Sequence, residues 1–105
     1  MKRRAAPNES FDDAFNALAV VLAAVREPEC MRAFLEDLCT PAELEAMSDR
    51  WRVVPLLLQG VPYREIHDRT AVSVTTIGRV ARTLERGAGG YAAAVNAVGA
   101  QPARA

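Results

Sequence analysis

The stretch from Tyr63 to Leu84, YREIHDRTAVSVTTIGRVARTL, constrains the fold of this chain more than any other. It contains two short helical patterns separated by the corner Ala71-Val72-Ser73. Serine at such a position caps a helix by accepting hydrogen bonds from its free amides. Apolar residues fall where two crossing helices would face each other and a core, namely at Ile66, Val72, Ile77, Ala81 and Leu84. The stretch therefore predicts a helix-turn-helix over residues 63–86, with a first helix over 63–70 and a second helix that begins at Val74.

The predicted second helix carries small polar residues at its start and basic residues further along. Its exposed positions are Thr75, Thr76, Gly78, Arg79 and Arg82. Small side chains permit close approach to base edges in the major groove, and arginines bind phosphates. We therefore expect a protein that binds double-stranded DNA through this helix.

The charge of the chain is unevenly distributed, although the 105 residues carry no formal net charge. Residues 14–49 contain two arginines and seven acidic residues, whereas residues 50–86 contain seven arginines and three acidic residues. Such asymmetry gives one face of a neutral molecule a positive field. The basic half is the one that contains the predicted helix-turn-helix.

The first predicted helix is apolar on almost every side. It begins after Asn8 or Ser10, with Asp12 and Asp13 in its first turn, and runs to about Arg26. A helix of this composition has to be buried on nearly all sides, and a small monomer has little interior to bury it in. We therefore expect an intertwined homodimer.

A long central helix is predicted from Thr40 to Gly60. Thr40-Pro41-Ala42-Glu43 combines a capping threonine, an early proline and a glutamate that completes a capping box. Apolar residues then recur at three- and four-residue steps, at Leu44, Met47, Trp51, Val54 and Leu58. Pro55 lies inside this helix and is expected to bend or weaken it.

The whole chain reads as one all-α domain over residues 9–99, between a basic arm at 1–8 and a frayed tail at 100–105. A short helix near Cys30–Leu38 follows Pro28, and a last helix at Tyr91–Val98 follows a glycine-rich loop. Both cysteines, Cys30 and Cys39, are expected to be buried or half-buried free thiols, since their spacing on one helical segment does not fit a disulfide.

Several classes of function are disfavoured. The chain has one histidine and no CxxC pattern, so no metal site is expected. No nucleophile–base pair or carboxylate constellation indicates an enzyme. The apolar run at 14–25 is too short to span a bilayer, and no signal peptide is recognisable. We expect a cytoplasmic protein.

The span from Thr40 to about Tyr91 resembles the Trp repressor family of bacterial regulators. CTPAELEAMSDRWRVVPLLLQG is similar to the central helix of that family, and YREIHDRTAVSVTTIGRVARTL is similar to its DNA-reading motif. The ending LERGAGGY is more similar to the Trp-repressor-related YerC/YecD-like subgroup than to the tryptophan-sensing repressors. The resemblance implies an interlocked all-α dimer that presents two helix-turn-helix units to successive major grooves.

The resemblance also implies roles for single residues in DNA binding. Arg64 matches a residue of the first motif helix that reaches a base edge, and Val74 and Thr75 match the tip of the recognition helix. His67 stands where the family has a phosphate-contacting lysine. Together with the exposed positions above, the expected DNA-binding residues are Arg64, His67, Val74, Thr75, Thr76, Gly78, Arg79 and Arg82.

A small-molecule effector, L-tryptophan or another compound, is a further implication of the resemblance. Arg50 and Arg79 match two arginines that sandwich the indole in tryptophan-binding members, and Thr40 and Thr83 match nearby polar groups. Val80 departs from the pattern, because the tryptophan sensors have a small glycine there and a valine would crowd the indole. DNA binding therefore transfers more readily than tryptophan sensing, and no resident cofactor is expected.

Two functions from different classes follow from these patterns. The first is a sequence-specific transcriptional regulator, in particular a repressor. The alternative is a protein–protein interaction module that uses the helix-turn-helix as a scaffold without binding specific DNA, which the absence of net charge keeps open.

Overall fold

The computed structural model of the chain describes residues 10–99. Every regular element within this range is a helix, which confirms the predicted all-α class. None of these helices has the length and apolar character needed to cross a bilayer. The helices are α1 (Phe11–Ala24), α2 (Pro28–Leu38), α3 (Pro41–Leu58), α4 (Tyr63–Thr70), α5 (Val74–Arg86) and α6 (Gly90–Val98).

The chain divides into two compact units, one over Met1–Thr40 and one over Pro41–Ala105. Of the described residues, the first unit contains α1 and α2, and the second contains α3 to α6. The predicted basic arm at 1–8 and the tail at 100–105 lie outside the described residues, and the single domain over 9–99 stays a prediction.

The helix α1 is capped at its start and exposed along its length. Ser10 Oγ accepts from the amide of Asp13 at 3.1 Å, and the Asp13 carboxylate accepts from the amide of Ser10 at 3.4 Å, so both halves of a capping box are present. No residue of α1 is buried, and Phe11 and Phe15 are 69% and 55% exposed with their rings 5.6 Å apart. Residues 10–99 by themselves therefore leave much of the apolar surface of α1 uncovered.

The helix α2 begins with Pro28 at its first turn and ends at Leu38, close to the predicted bounds. The amide of Cys39 closes it by donating to the carbonyl of Leu35 at 2.9 Å. Cys30 and Cys39 are free thiols; Cys39 is half-buried, whereas Cys30 is exposed, so the predicted burial is wrong for Cys30.

The core of the second unit lies where α3, α4 and α5 pack against one another. Six apolar side chains, each at most 4% exposed, form it: Val53, Val54, Ile66, Val72, Ile77 and Val80. Tyr91 and Val95 of α6 pack against this cluster from outside. The core therefore holds the two helices of the motif against the central helix.

The helix α3 continues through Pro55 to Leu58, and the amide of Gln59 donates to the carbonyl of Pro55 at 3.0 Å. It ends at Leu58, two residues before the predicted stop at Gly60, whose φ of +82° lies in the left-handed region that favours glycine. The amides of Gly60 and Val61 donate back to the carbonyls of Leu57 and Leu56. These bonds fix the turn that leads into α4.

Candidate nucleic-acid interface

The corner between α4 and α5 is fixed by local hydrogen bonds. Ala71 ends α4 in the left-handed conformation, with φ +66°, and its amide donates to the carbonyl of His67 at 2.8 Å. The hydroxyl of Thr70 donates to the carbonyl of Ile66 at 2.7 Å and accepts from the amide of Val72 at 3.1 Å. Val72 is buried in the core. Its burial and these hydrogen bonds together set the direction in which α5 leaves the corner.

The start of α5 is organised by Ser73, which is the predicted cap. Its Oγ accepts from the amide of Thr76 at 3.1 Å and donates to Oγ1 of Thr76 at 3.0 Å. Thr76 is half-buried and its hydroxyl takes part in the cap, whereas Thr75 beside it is exposed. Of the two threonines, Thr75 has the more accessible side chain.

Replacing Ser73 with alanine should lower the free energy of unfolding by about 1 kcal/mol, because the amide of Thr76 loses its acceptor. Chemical denaturation measures the effect, and Ser73→Thr, which keeps a hydroxyl, is the matched control that should retain most of the stability. Equal denaturation midpoints for Ser73→Ala and the wild type would show that the cap does not contribute.

An exposed hollow is formed by α4 and the first residue of α5. It measures about 590 Å³ and is lined by Tyr63, Arg64, His67, Asp68 and Val74. Three of the predicted DNA-binding residues, Arg64, His67 and Val74, therefore share one surface. His67 is tied to the corner, since its Nδ1 lies 2.8 Å from the carbonyl oxygen of Val72.

A row of arginines follows along α5. Arg79, Arg82 and Arg86 are all exposed and line a second hollow of about 420 Å³ with Thr83 and Gly87. The ion pairs of residues 10–99 use Arg32, Arg52 and Arg69 instead. The guanidinium groups of the row are therefore not neutralised by a carboxylate of the described chain.

Gly78 is half-buried against the ring of Tyr63. A Cβ built on Gly78 would lie 3.9 Å from Cε2 of Tyr63, which is an ordinary contact distance. Tyr63 also lines a hollow of about 260 Å³ with Gly78, Arg82 and Arg86. Tyr63 was not among the predicted site residues. It lies between the hollow of Arg64 and the arginine row.

The predicted effector residues are brought together in part. Arg50, Arg79 and Thr83 line an open hollow of about 320 Å³ with Val80 and Tyr91. The hydroxyl of Thr83 donates to the carbonyl of Arg79 at 3.0 Å. Val80 is only 1% exposed, so most of its side chain lies in the core. Thr40 belongs to the other compact unit. Tyr91 was missed, because its sequence position indicated only packing.

The chain is similar in sequence and in fold to known proteins. The family model of the Trp repressor protein matches residues 13–98. The chain is 34% identical over 90 residues to the uncharacterized protein YerC of Bacillus subtilis (strain 168). These 90 residues cover 86% of this chain and 83% of YerC. The crystal structure of a candidate Trp repressor from Staphylococcus aureus superposes with a TM-score of 0.78 at 28% identity, over 84% of this chain and 88% of that one. The chain therefore belongs to the Trp repressor family, a family of regulators and not of enzymes.

Proposed function

We propose that the protein is a dimeric, sequence-specific DNA-binding regulator that represses transcription and reads the major groove with α5. The observation that carries this proposal is the exposed surface on which Arg64 and Val74 lie together. From it, arginines that form no ion pair among residues 10–99 continue along α5. We further propose that it acts in the cytoplasm.

The electrostatic part of the proposal rests on Arg79, Arg82 and Arg86. They are spaced so that they share one side of α5, all are exposed, and no ion pair of the described residues uses them. A row of this kind suits the phosphates of a DNA backbone, whose binding releases counterions. Affinity for DNA should therefore depend steeply on salt, despite the neutral chain.

The base-reading part of the proposal rests on the first turn of α5 and the start of α4. Val74 is 50% exposed and Thr75 is exposed beside it, so both offer small apolar surface suited to the methyl group of thymine. The guanidinium of Arg64 suits the two acceptors of guanine. Three further residues complete the proposed interface. His67 would contact a phosphate, and Thr76 takes part in the cap at the start of α5. Gly78 has no side chain, so the surface of α5 can approach the DNA closely there.

The proposed homodimer rests on the exposed apolar residues of α1. Phe11, Phe15 and Val20 are each at least 55% exposed, which is unusual for large apolar side chains of one short helix. A second copy of the chain would cover such a surface. Dimeric helix-turn-helix proteins, Trp repressors among them, bind half-sites about one helical turn apart.

A small-molecule effector is part of the proposal. Two arginines, Arg50 and Arg79, line the open hollow together with Thr83 and Tyr91, two residues that carry hydroxyl groups. This combination suits a carboxylate with an attached apolar or aromatic group, such as L-tryptophan or another small effector. Thr40 stays a proposed contact on the basis of the family pattern.

Selection from a random library of DNA duplexes tests the function. The full chain should enrich a two-fold symmetric sequence, and binding to the selected duplex should weaken by about 100-fold or more between about 50 and 200 mM salt. The selection is repeated with and without L-tryptophan to test the effector. Enrichment of no sequence would contradict the proposed function.

The alternative is a protein–protein module that uses the helix-turn-helix as a scaffold. The zero net charge and the exposed apolar side chains of α1 favour it. Binding to the duplexes that is absent, or that does not change with salt, would support this alternative.

A further inference from the structure

The hydrogen bond of His67 to the corner determines which of its nitrogens faces outward. Nδ1 of His67 lies 2.8 Å from the carbonyl oxygen of Val72. A carbonyl oxygen only accepts hydrogen bonds, so Nδ1 carries the proton in this contact. In the neutral ring the other nitrogen, Nε2, then has a lone pair and no hydrogen.

This tautomer has a direct consequence for binding an anion. A neutral Nε2 is an acceptor and cannot donate to a phosphate oxygen. Protonation adds a hydrogen at Nε2 and a positive charge, while Nδ1–H keeps its bond to Val72. The corner is therefore the same in both states, and only the outward nitrogen changes from acceptor to charged donor.

Given the groups around His67, the charge of its ring determines the net charge of the hollow. Its hollow is lined on α4 by Tyr63, Arg64 and Asp68, and α5 contributes only the apolar Val74. Arg64 and Asp68 cancel formally, so the hollow has no net charge when His67 is neutral and one positive charge when His67 is protonated. The neighbouring corner and first turn of α5, residues 71–76, contain no charged side chain.

We propose that His67 makes DNA binding by this protein dependent on pH, with the protonated ring donating from Nε2 to a backbone phosphate. This inference rests on the proposed DNA-binding function and adds regulation to it. Because the DNA-bound state favours the protonated ring, binding takes up protons and the affinity rises as the pH falls. Histidine as a residue type changes charge between about pH 5 and 8, which is the range over which the affinity is to be compared.

The chain offers an unusually clean test, because His67 is its one histidine. Affinity for the selected duplex is measured from about pH 8 to about pH 5.5 for the wild type and for His67→Asn. Asparagine places an amide donor near the position of Nδ1, so it keeps a partner for Val72 and removes the titration. We expect the wild-type dimer to bind about tenfold more tightly at the acidic end, from two phosphate contacts, and His67→Asn to change little.

A second measurement uses only the wild type, in case His67→Asn does not fold. Calorimetry near neutral pH in buffers of different ionisation enthalpy reports the protons exchanged on binding, and net uptake is expected. A wild type that binds the duplex with no proton uptake, or an equal pH response in His67→Asn, would overturn this inference and leave the proposed function standing. A wild type that binds no duplex at either pH would overturn both.

Discussion

Replacing Ile77 with alanine should lower the free energy of unfolding by about 2–5 kcal/mol, which is a large share of the stability of a small protein. Ile77 has no exposed surface and lies in the cluster that joins α3, α4 and α5. Truncation removes buried apolar surface and leaves a cavity between the two helices of the motif and the central helix. Chemical denaturation at fixed protein concentration measures the loss, since dimerisation would make stability depend on concentration.

Val74→Ala is the matched control for this prediction. Val74 lies three residues earlier in the same helix, but it is 50% exposed, so its truncation should change stability by less than about 0.5 kcal/mol. Similar denaturation midpoints for Ile77→Ala and Val74→Ala would contradict the position of the core.

Replacing Arg64 with alanine should weaken binding to the selected duplex by about 10- to 100-fold for each half-site, which corresponds to about 1–3 kcal/mol for a lost bidentate contact to guanine. Arg64 borders the exposed hollow beside His67 and forms no ion pair within residues 10–99, so its guanidinium is available to a ligand. The sequence preference should relax at one position of each half-site. Titration of labelled duplexes that differ at single positions measures both effects.

Arg69→Ala controls for the loss of one positive charge from α4. Arg69 pairs with Glu65 at 3.4 Å and does not line the hollow. Its replacement should leave the sequence preference unchanged and affect affinity only slightly. If Arg64→Ala and Arg69→Ala lose the same affinity without relaxing the preference, Arg64 does not read a base.

The helix-turn-helix was predictable from its sequence because its signals are local. Ser73 caps α5 as predicted, and Ile66, Val72 and Ile77 are buried as their spacing predicted. The predicted limits of both helices agree with the structure. The family assignment was confirmed as well. The roles of single residues in binding DNA or an effector stay predictions.

Other features depend on contacts that periodicity does not encode. Met47 and Leu58 were predicted as part of the apolar face of α3, yet each is 40% exposed, whereas Val53, outside the predicted series, is fully buried. α3 is apolar on more than one side near its end, so spacing alone does not choose the side that faces α4 and α5. Val80 shows the same problem, since it is buried in the core and is also one of the residues that line the hollow of Arg50 and Arg79.

Two contacts could not be predicted from the sequence. They are the hydrogen bond between His67 and Val72 and the packing of Tyr63 against Gly78. Both arise from the path of the chain through the corner, where Ala71 adopts a left-handed conformation that a non-glycine residue seldom takes. An alanine at that position gives no sequence signal for a left-handed residue, although the corner itself was predicted at residues 71–73. The path of the corner, once known, explains which His67 nitrogen faces outward.

Methylation protection of the selected duplex tests most directly whether the surface formed by α4 and α5 enters the major groove. Dimethyl sulfate modifies N7 of guanine in the major groove and N3 of adenine in the minor groove. We expect the wild-type protein to protect two groups of guanine N7 atoms about one helical turn apart, and Arg64→Ala to lose one protected guanine in each group. Protection confined to adenine N3, or no protection at a concentration that saturates the duplex, would contradict major-groove reading by this surface.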